Sequence, residues 1–213
     1  MMTELVFILD RSGSMSGLEQ DTVGGFNSML RKQKTEPGEC LVSTLLFDSE
    51  TAVIHDRVPL AQVPELTREQ YFARGSTALL DAVGGAIHHI GNVHKYARRE
   101  DVPERTVFVI TTDGMENSSH RYDYDKVRSM ITRQKEKYGW EFLFLGANMD
   151  AVAEASRFGI QADRAVRFRN DGEGIALNYS SVCEFIEEVR GEMPRPSGAW
   201  KASIEADVRK RGQ

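Results

Sequence analysis

Three short stretches of this sequence group oxygen donors. The first is Asp10-Arg11-Ser12-Gly13-Ser14, in which Asp10, Ser12 and Ser14 fall on alternate positions. The second is Gly75-Ser76-Thr77, and the third is Thr111-Thr112-Asp113-Gly114. Asp10, Ser12, Ser14, Thr77 and Asp113 offer carboxylate and hydroxyl oxygen, with no sulfur or imidazole among them. Such a donor set suits a hard cation, Mg²⁺ first, with Mn²⁺ or Ca²⁺ as other fits. Each stretch alone reads most simply as structure, because Ser, Asp and Gly favour turns and helix caps. Ser76 and Thr77 can also cap the helix after them. A shared location would make the three stretches one site.

Other chemistry is sparse. His88 and His89 are adjacent on a helical stretch, so they point apart and form no i, i+4 metal pair. His55, His94 and His120 are isolated. His120, Glu116 and Asn117 follow Asp113 and are candidates for lining the site and shaping partner choice. Arg11 is expected at the surface or against an acidic partner. No Ser–His–Asp set, Cys–His pair or carboxylate acid–base pair is recognisable, and neither phosphate-loop pattern occurs. No catalytic or organic-cofactor residue is assigned, and an enzyme is not expected.

The elements that must position these residues show in the apolar pattern. Residues 5–9, 106–110 and 142–145 are almost unbroken apolar runs, as expected of parallel strands buried on both faces. Helical spacing links Leu18, Phe26, Met29 and Leu30, and again Leu79, Leu80, Val83, Ile87 and Ile90. Gly24-Gly25 weakens the first helix or admits a close neighbour. Residues 40–47 and 51–58 read as a hairpin around Asp48-Ser49-Glu50. Asp123 is a plausible N-cap for a helix with Val127, Met130 and Ile131. A short helix is expected at about 150–158 and a weak edge strand at 165–168. Ser181 and Glu184 suggest a capping box opening a last helix with Val182, Phe185, Ile186 and Val189. The fold class is α/β: a doubly wound, mostly parallel central sheet, one antiparallel edge strand from the hairpin, helices on both faces. In such sheets ligands bind beyond the carboxyl ends of the strands, where all three donor stretches fall.

One domain is expected over 1–190. Pro194, Pro196, Ser197 and Gly198 read as a linker, so 191–213 is expected to be a flexible or peripheral tail. The chain has 213 residues with 27 basic and 32 acidic side chains, a balance that argues against general phosphate-backbone binding. No run approaches the roughly 20 apolar residues of a membrane span. The opening residues lack a basic n-region and a long apolar segment. A soluble, cytoplasmic protein is expected, with neither nucleic acid nor membrane as partner. Cys40 and Cys183 belong to no metal or redox spacing and are expected as buried free thiols.

The phrase Phe7-Ile8-Leu9-Asp10-Arg11-Ser12-Gly13-Ser14-Met15, followed in order by Thr77 and by Thr-Asp-Gly at Asp113, resembles the metal-ion-dependent adhesion site (MIDAS) of von Willebrand factor A (vWA) domains. The resemblance spans roughly residues 3–190 and fills all five motif positions. It implies a Rossmann-like vWA fold. It also implies that Ser12 and Ser14 ligate the metal through their hydroxyls. Thr77 would do so directly in one state and through water in another. Asp10 and Asp113 would act mainly through bound waters and hydrogen bonds to the serines. The sixth position would be left for a Glu or Asp of a partner protein. Neutral direct ligands leave the cation's charge poorly quenched, which favours an incoming carboxylate. The function implied is an intracellular, metal-dependent protein-binding adaptor. Alternatives are an assembly partner of an AAA-type ATPase, a metal-dependent phosphohydrolase, or a scaffold with a purely structural metal. The phosphohydrolase is disfavoured because aspartate-nucleophile phosphatases carry D-x-D, where this chain has Ser12. Oligomeric state is not legible.

Overall fold

The run Leu5-Val6-Phe7-Ile8-Leu9 is apolar at every position because helices cover both of its faces. A computed structural model describes residues 1–191 and 197–211. It places the run in strand β1 (Met2–Asp10), with β2 (Glu39–Phe47) and β3 (Thr51–Pro59) forming the hairpin. Next come β4 (Arg105–Thr112), β5 (Glu141–Ala147) and β6 (Ala165–Phe168). The sheet order is β3-β2-β1-β4-β5-β6. Only the β2–β3 pairing is antiparallel among the described residues.

Side chains alternate across a strand, so β1 serves two cores. Leu5, Phe7 and Leu9 join Phe26, Met29 and Leu30 of α1 (Glu19–Gln33) and Val182, Phe185 and Ile186 of α5 (Gly172–Arg190). Val6 and Ile8 join Leu79, Val83 and Ile87 of α2 (Leu79–Tyr96) on the other face. Val127 and Ile131 of α3 (Tyr124–Tyr138) and Ala151 and Ala155 of α4 (Ala151–Arg157) complete that second core. The expected fold class is therefore the observed one. The close approach suggested by Gly24-Gly25 occurs at Gly25. A Cβ there would lie 2.5 Å from Cδ2 of Tyr179, so α1 and α5 pack with an aromatic ring against bare backbone.

Two expectations are corrected. The last helix of the sheet layer does not open at Ser181. Asp171 caps α5 by accepting from the Gly174 N–H at 2.8 Å, and Ser181 is buried mid-helix. The S-x-x-E pattern was met by a buried serine on a helix that had already begun. The reading of the chain after 190 as linker or peripheral is corrected for residues 198–211. They form a 3₁₀ turn (Gly198–Lys201) and α6 (Ala202–Arg211). Trp200 and Ile204, four positions apart, are buried in the α5-side core. Pro194 and Pro196 of the expected linker lie outside the described residues, as does the terminal Gly212-Gln213. Cys40 and Cys183 are both buried and free, as expected.

Candidate metal centre

After β1 the chain builds β2 and β3 on one side of it, then crosses back to place β4 on the other. This reversal opens a crevice beyond the carboxyl ends of β1 and β4. Asp10 ends β1 and Thr112 ends β4, with Asp113 next in the chain. Asp10 is buried, and both its oxygens are engaged: Oδ1 accepts from the Ser12 N–H at 2.7 Å and Oδ2 from the Thr112 hydroxyl at 2.6 Å. The Tyr71 hydroxyl donates to the Asp10 carbonyl from below.

A line of hydroxyls crosses the crevice. Ser14 Oγ donates to Asp113 Oδ1 at 2.6 Å. Ser12 Oγ and Ser14 Oγ are 3.0 Å apart. A serine has one hydroxyl proton, and that of Ser14 is committed to Asp113, so Ser12 donates to Ser14. Ser14 is the exposed member, while Ser12, Thr77 and Asp113 are buried. The Gly13 N–H donates to the Gly75 carbonyl at 3.1 Å, which ties the first donor loop to the second. A Cβ on Gly114 would lie 3.0 Å from Thr77 Oγ1 and 3.7 Å from Ser14 Oγ. The hydroxyls of Thr77 and Ser14 therefore flank the bare face of Gly114. The five expected residues are thus gathered on three adjoining loops.

Burial pushes the Asp10 carboxyl above its ordinary value, against hydrogen bonds from Ser12 and Thr112, and the charge of Asp113 pushes the same way. Burial raises Asp113 too, against hydrogen bonds from Ser14 and Asn170. Two poorly solvated carboxylates beside three hydroxyls form a pocket that favours positive charge. Cis ligands on an octahedron with bonds of ~2.1 Å stand about 3 Å apart, and the Ser12 and Ser14 oxygens already have that separation. The residues present fit a small hard cation. Among the described residues no group of three or more His, Cys, Asp or Glu converges as a metal cluster. Hydroxyls would have to supply much of any coordination here.

The surrounding loops differ from expectation. Arg11 neither faces solvent nor waits for a partner. It is buried, with Nε 2.8 Å from Asp48 Oδ2 and Nη1 donating to the Gln70 carbonyl at 3.1 Å. Its guanidinium lies 5.0 Å from the Phe72 ring centroid. Glu116 and Asn117 brace the loop. Glu116 Oε2 accepts from the Leu80 N–H at 2.8 Å, capping α2, and Oε1 accepts from the Ser118 and Ser119 N–H groups. Asn117 Oδ1 accepts from the Thr77 N–H at 2.9 Å, and its own N–H donates to the Thr77 carbonyl at 3.0 Å. Neither Ser76 nor Thr77 caps α2, whose N-cap is Ala78. His120 is exposed, and its N–H donates to Asp81. His88 and His89 are exposed on α2, and His89 pairs with Asp56. Thr112 and Asn170 touch the two carboxylates without having been singled out in the sequence. Thr112 stands next to the Thr-Asp-Gly element, whereas a lone Asn after a weak strand gives no signal.

No protein-family model and no curated protein matches the sequence. Solved structures do match. Proximal thread matrix protein 1 from the mussel byssus aligns over 87% of this chain and 46% of its own, with TM-score 0.61 and 15% identity. A von Willebrand factor type A from Catenulispora acidiphila aligns over 86% and 42%, with TM-score 0.57 and 13% identity. The fold is that of a vWA domain. The PilB minor pilin from Streptococcus sanguinis matches the same vWA-like chain over 92% of its length and 64% of the pilin's, with TM-score 0.61 and 13% identity. At these identities the likeness concerns fold, and the chain spans less than two thirds of each of these proteins. The thread matrix protein has also been solved with a zinc-occupied MIDAS motif.

Proposed function

We propose that this vWA-fold chain is a metal-dependent protein-binding module. In this reading Ser12, Ser14 and Thr77 hold a divalent cation, Mg²⁺ by preference, and Asp10 and Asp113 orient those hydroxyls. The observation that carries it is the hydrogen-bonded line Ser12–Ser14–Asp113 with its 3.0 Å spacing between serine oxygens. The proton of Ser14 points to Asp113 and one of its lone pairs accepts from Ser12, which leaves the other for a cation. The bound cation would supply Lewis acidity, with its charge only partly quenched by neutral ligands, and would accept a Glu or Asp carboxylate of a partner.

A binding role rather than a catalytic one is supported by Asp10. Both its oxygens are already engaged within the fold, which ill suits a nucleophile or general base. Two buried free thiols suit a reducing compartment, so we place the module in the cytoplasm. Among the described residues no helix is long and apolar enough to cross a membrane.

The test is titration calorimetry of the full chain with Mg²⁺ and Mn²⁺, beside the Ser12→Ala and Asp113→Ala variants. Binding by the native chain that is lost in both variants is the expected result. Unchanged affinity in both would refute the ligand set. A pull-down from native extract, with and without EDTA, then tests the partner half of the reading. Partners retained after chelation and by Ser12→Ala would show that association bypasses the metal.

A further inference from the structure

We infer that Asn170 is a positioning residue of the metal centre, acting through Asp113, and that Arg211 at the far end of the chain holds it in place. This inference rests on the metal-binding reading above. Asn170 Nδ2 donates to Asp113 Oδ2 at 2.9 Å, while Ser14 donates to Oδ1 of the same carboxylate. The two bonds fix the carboxylate from opposite ends. Asp113 can then neither rotate toward a cation with both oxygens nor release Ser14. The amide presents its nitrogen to Asp113, the orientation in which it donates to a carboxylate oxygen. Asn170 Oδ1 is buried without a hydrogen-bond partner in the fold. It is an acceptor beside Asp113 of the kind that would take a hydrogen bond from metal-bound water.

Asn170 sits in the short link between β6 and α5, and both ends of that link are pinned. Phe168 is buried in the core on one side. On the other, Asp171 caps α5 and is gripped by Arg211 of α6, with Nη1–Oδ2 3.0 Å and Nη2–Oδ1 3.3 Å. Arg211 is itself held by Asp207, with Nη2–Oδ2 2.6 Å, and its carbonyl accepts from Arg169 Nη1. Arg169, Asp171, Asp207 and Arg211 thus form a charged clasp around the residue that touches Asp113. Trp200 and Ile204 seat α6 in the core, which gives the clasp a fixed base. Helix α6 therefore bears on the site through Asp171 and its neighbour Asn170.

The experiment is a double-mutant cycle read as Mg²⁺ affinity of the full chain by calorimetry. The proteins are native, Asn170→Ala, Arg211→Ala, the double variant, and Asp113→Ala as reference. Thermal midpoints are measured beside each, and Arg211→Gln replaces Arg211→Ala should the latter not fold. Asn170→Ala is expected to weaken Mg²⁺ binding about tenfold, the scale on which outer partners of metal ligands act. Arg211→Ala is expected to weaken it by a smaller factor in the native background and by none in the Asn170→Ala background. A purely structural arginine would lower the thermal midpoint equally in both backgrounds and leave affinity alone. Native affinity in Asn170→Ala, with binding lost in Asp113→Ala, overturns this inference and leaves the metal reading standing. Native affinity in Asp113→Ala as well overturns both.

Discussion

The Ser14 hydroxyl donates a 2.6 Å hydrogen bond to Asp113, closing a gap of 99 residues in the chain. With the bond from the Thr112 hydroxyl to Asp10, it joins the first donor loop to the third across the switch point of the sheet. The spacing of three loops around it depends on how closely their backbones approach.

That dependence makes Gly114→Ala a sharp probe. The added methyl would meet Thr77 Oγ1 at 3.0 Å, tight enough that Thr77 must give way. Mg²⁺ affinity is expected to fall about tenfold with little change in thermal midpoint. Calorimetry and a melt on the same sample check both halves.

Arg11→Met tests the buried pair beneath the donor loop. Arg11 and Asp48 are 6% and 2% exposed at 2.8 Å, so removing the arginine strands much of a buried charge. Arg74, 2.9 Å from the same Asp48 oxygen, is half-exposed and compensates only in part. A loss of about 3 kcal/mol is expected in urea unfolding. Arg11→Lys is expected to recover little of it, since it cannot serve Asp48 and the Gln70 carbonyl in the same planar geometry.

Asp81 supplies a pH dependence. Burial pushes its carboxyl up, but N–H donors from His120, Arg121 and Tyr122 outweigh that and leave it below its ordinary value of 3.8. A group whose folded value is depressed stabilises the fold above its unfolded value and loses that contribution as pH falls through the folded one. Native protein should therefore lose stability below about pH 4 more steeply than Asp81→Asn. Urea midpoints collected from pH 6 to pH 3 compare the two slopes, and parallel slopes would remove Asp81 from the account.

Trp200→Ala tests whether the C-terminal segment belongs to the domain. The indole is buried, packs edge-on against Phe185 with centroids 5.8 Å apart, and donates to the Asp163 carbonyl at 3.0 Å. Truncation should cost about 3 kcal/mol in a single cooperative transition. A cost near zero would mean α6 is an ornament on an independent fold.

The fold was legible where one strand carried its own evidence. Residues 5–9 are apolar at every position because β1 is covered on both faces, and that pattern needs no partner to be recognised. The grouping of Asp10, Ser12, Ser14, Thr77 and Asp113 was legible as residue types in order, since they fall in short stretches at or just after the ends of strands β1 and β4 and just before helix α2. What escaped depends on meetings across the chain. Arg11 in a Ser/Gly loop looks solvent-bound until Asp48 is placed beside it. Asn170 carries no pattern, and only the β6–α5 link brings it to Asp113. Ser181 and Glu184 mimicked a helix start because a capping box is a local pattern, while the true start at Asp171 follows a short strand. Trp200 and Ile204 were masked by nearby Pro, Gly and basic residues that suggested a tail.

The loop after β4 is stapled to the first turn of α2. Asp81 receives three of its N–H groups, Glu116 reaches back to Leu80, and Asn117 clasps Thr77 twice. This wall of the crevice has therefore spent its conformational entropy during folding. A partner of the proposed module would order no loop on that side, and a rigid receptor forfeits less of its contact energy to immobilisation. If the crevice binds a partner as proposed, its surface is preorganised on this side, so even a small area of contact would yield a useful affinity.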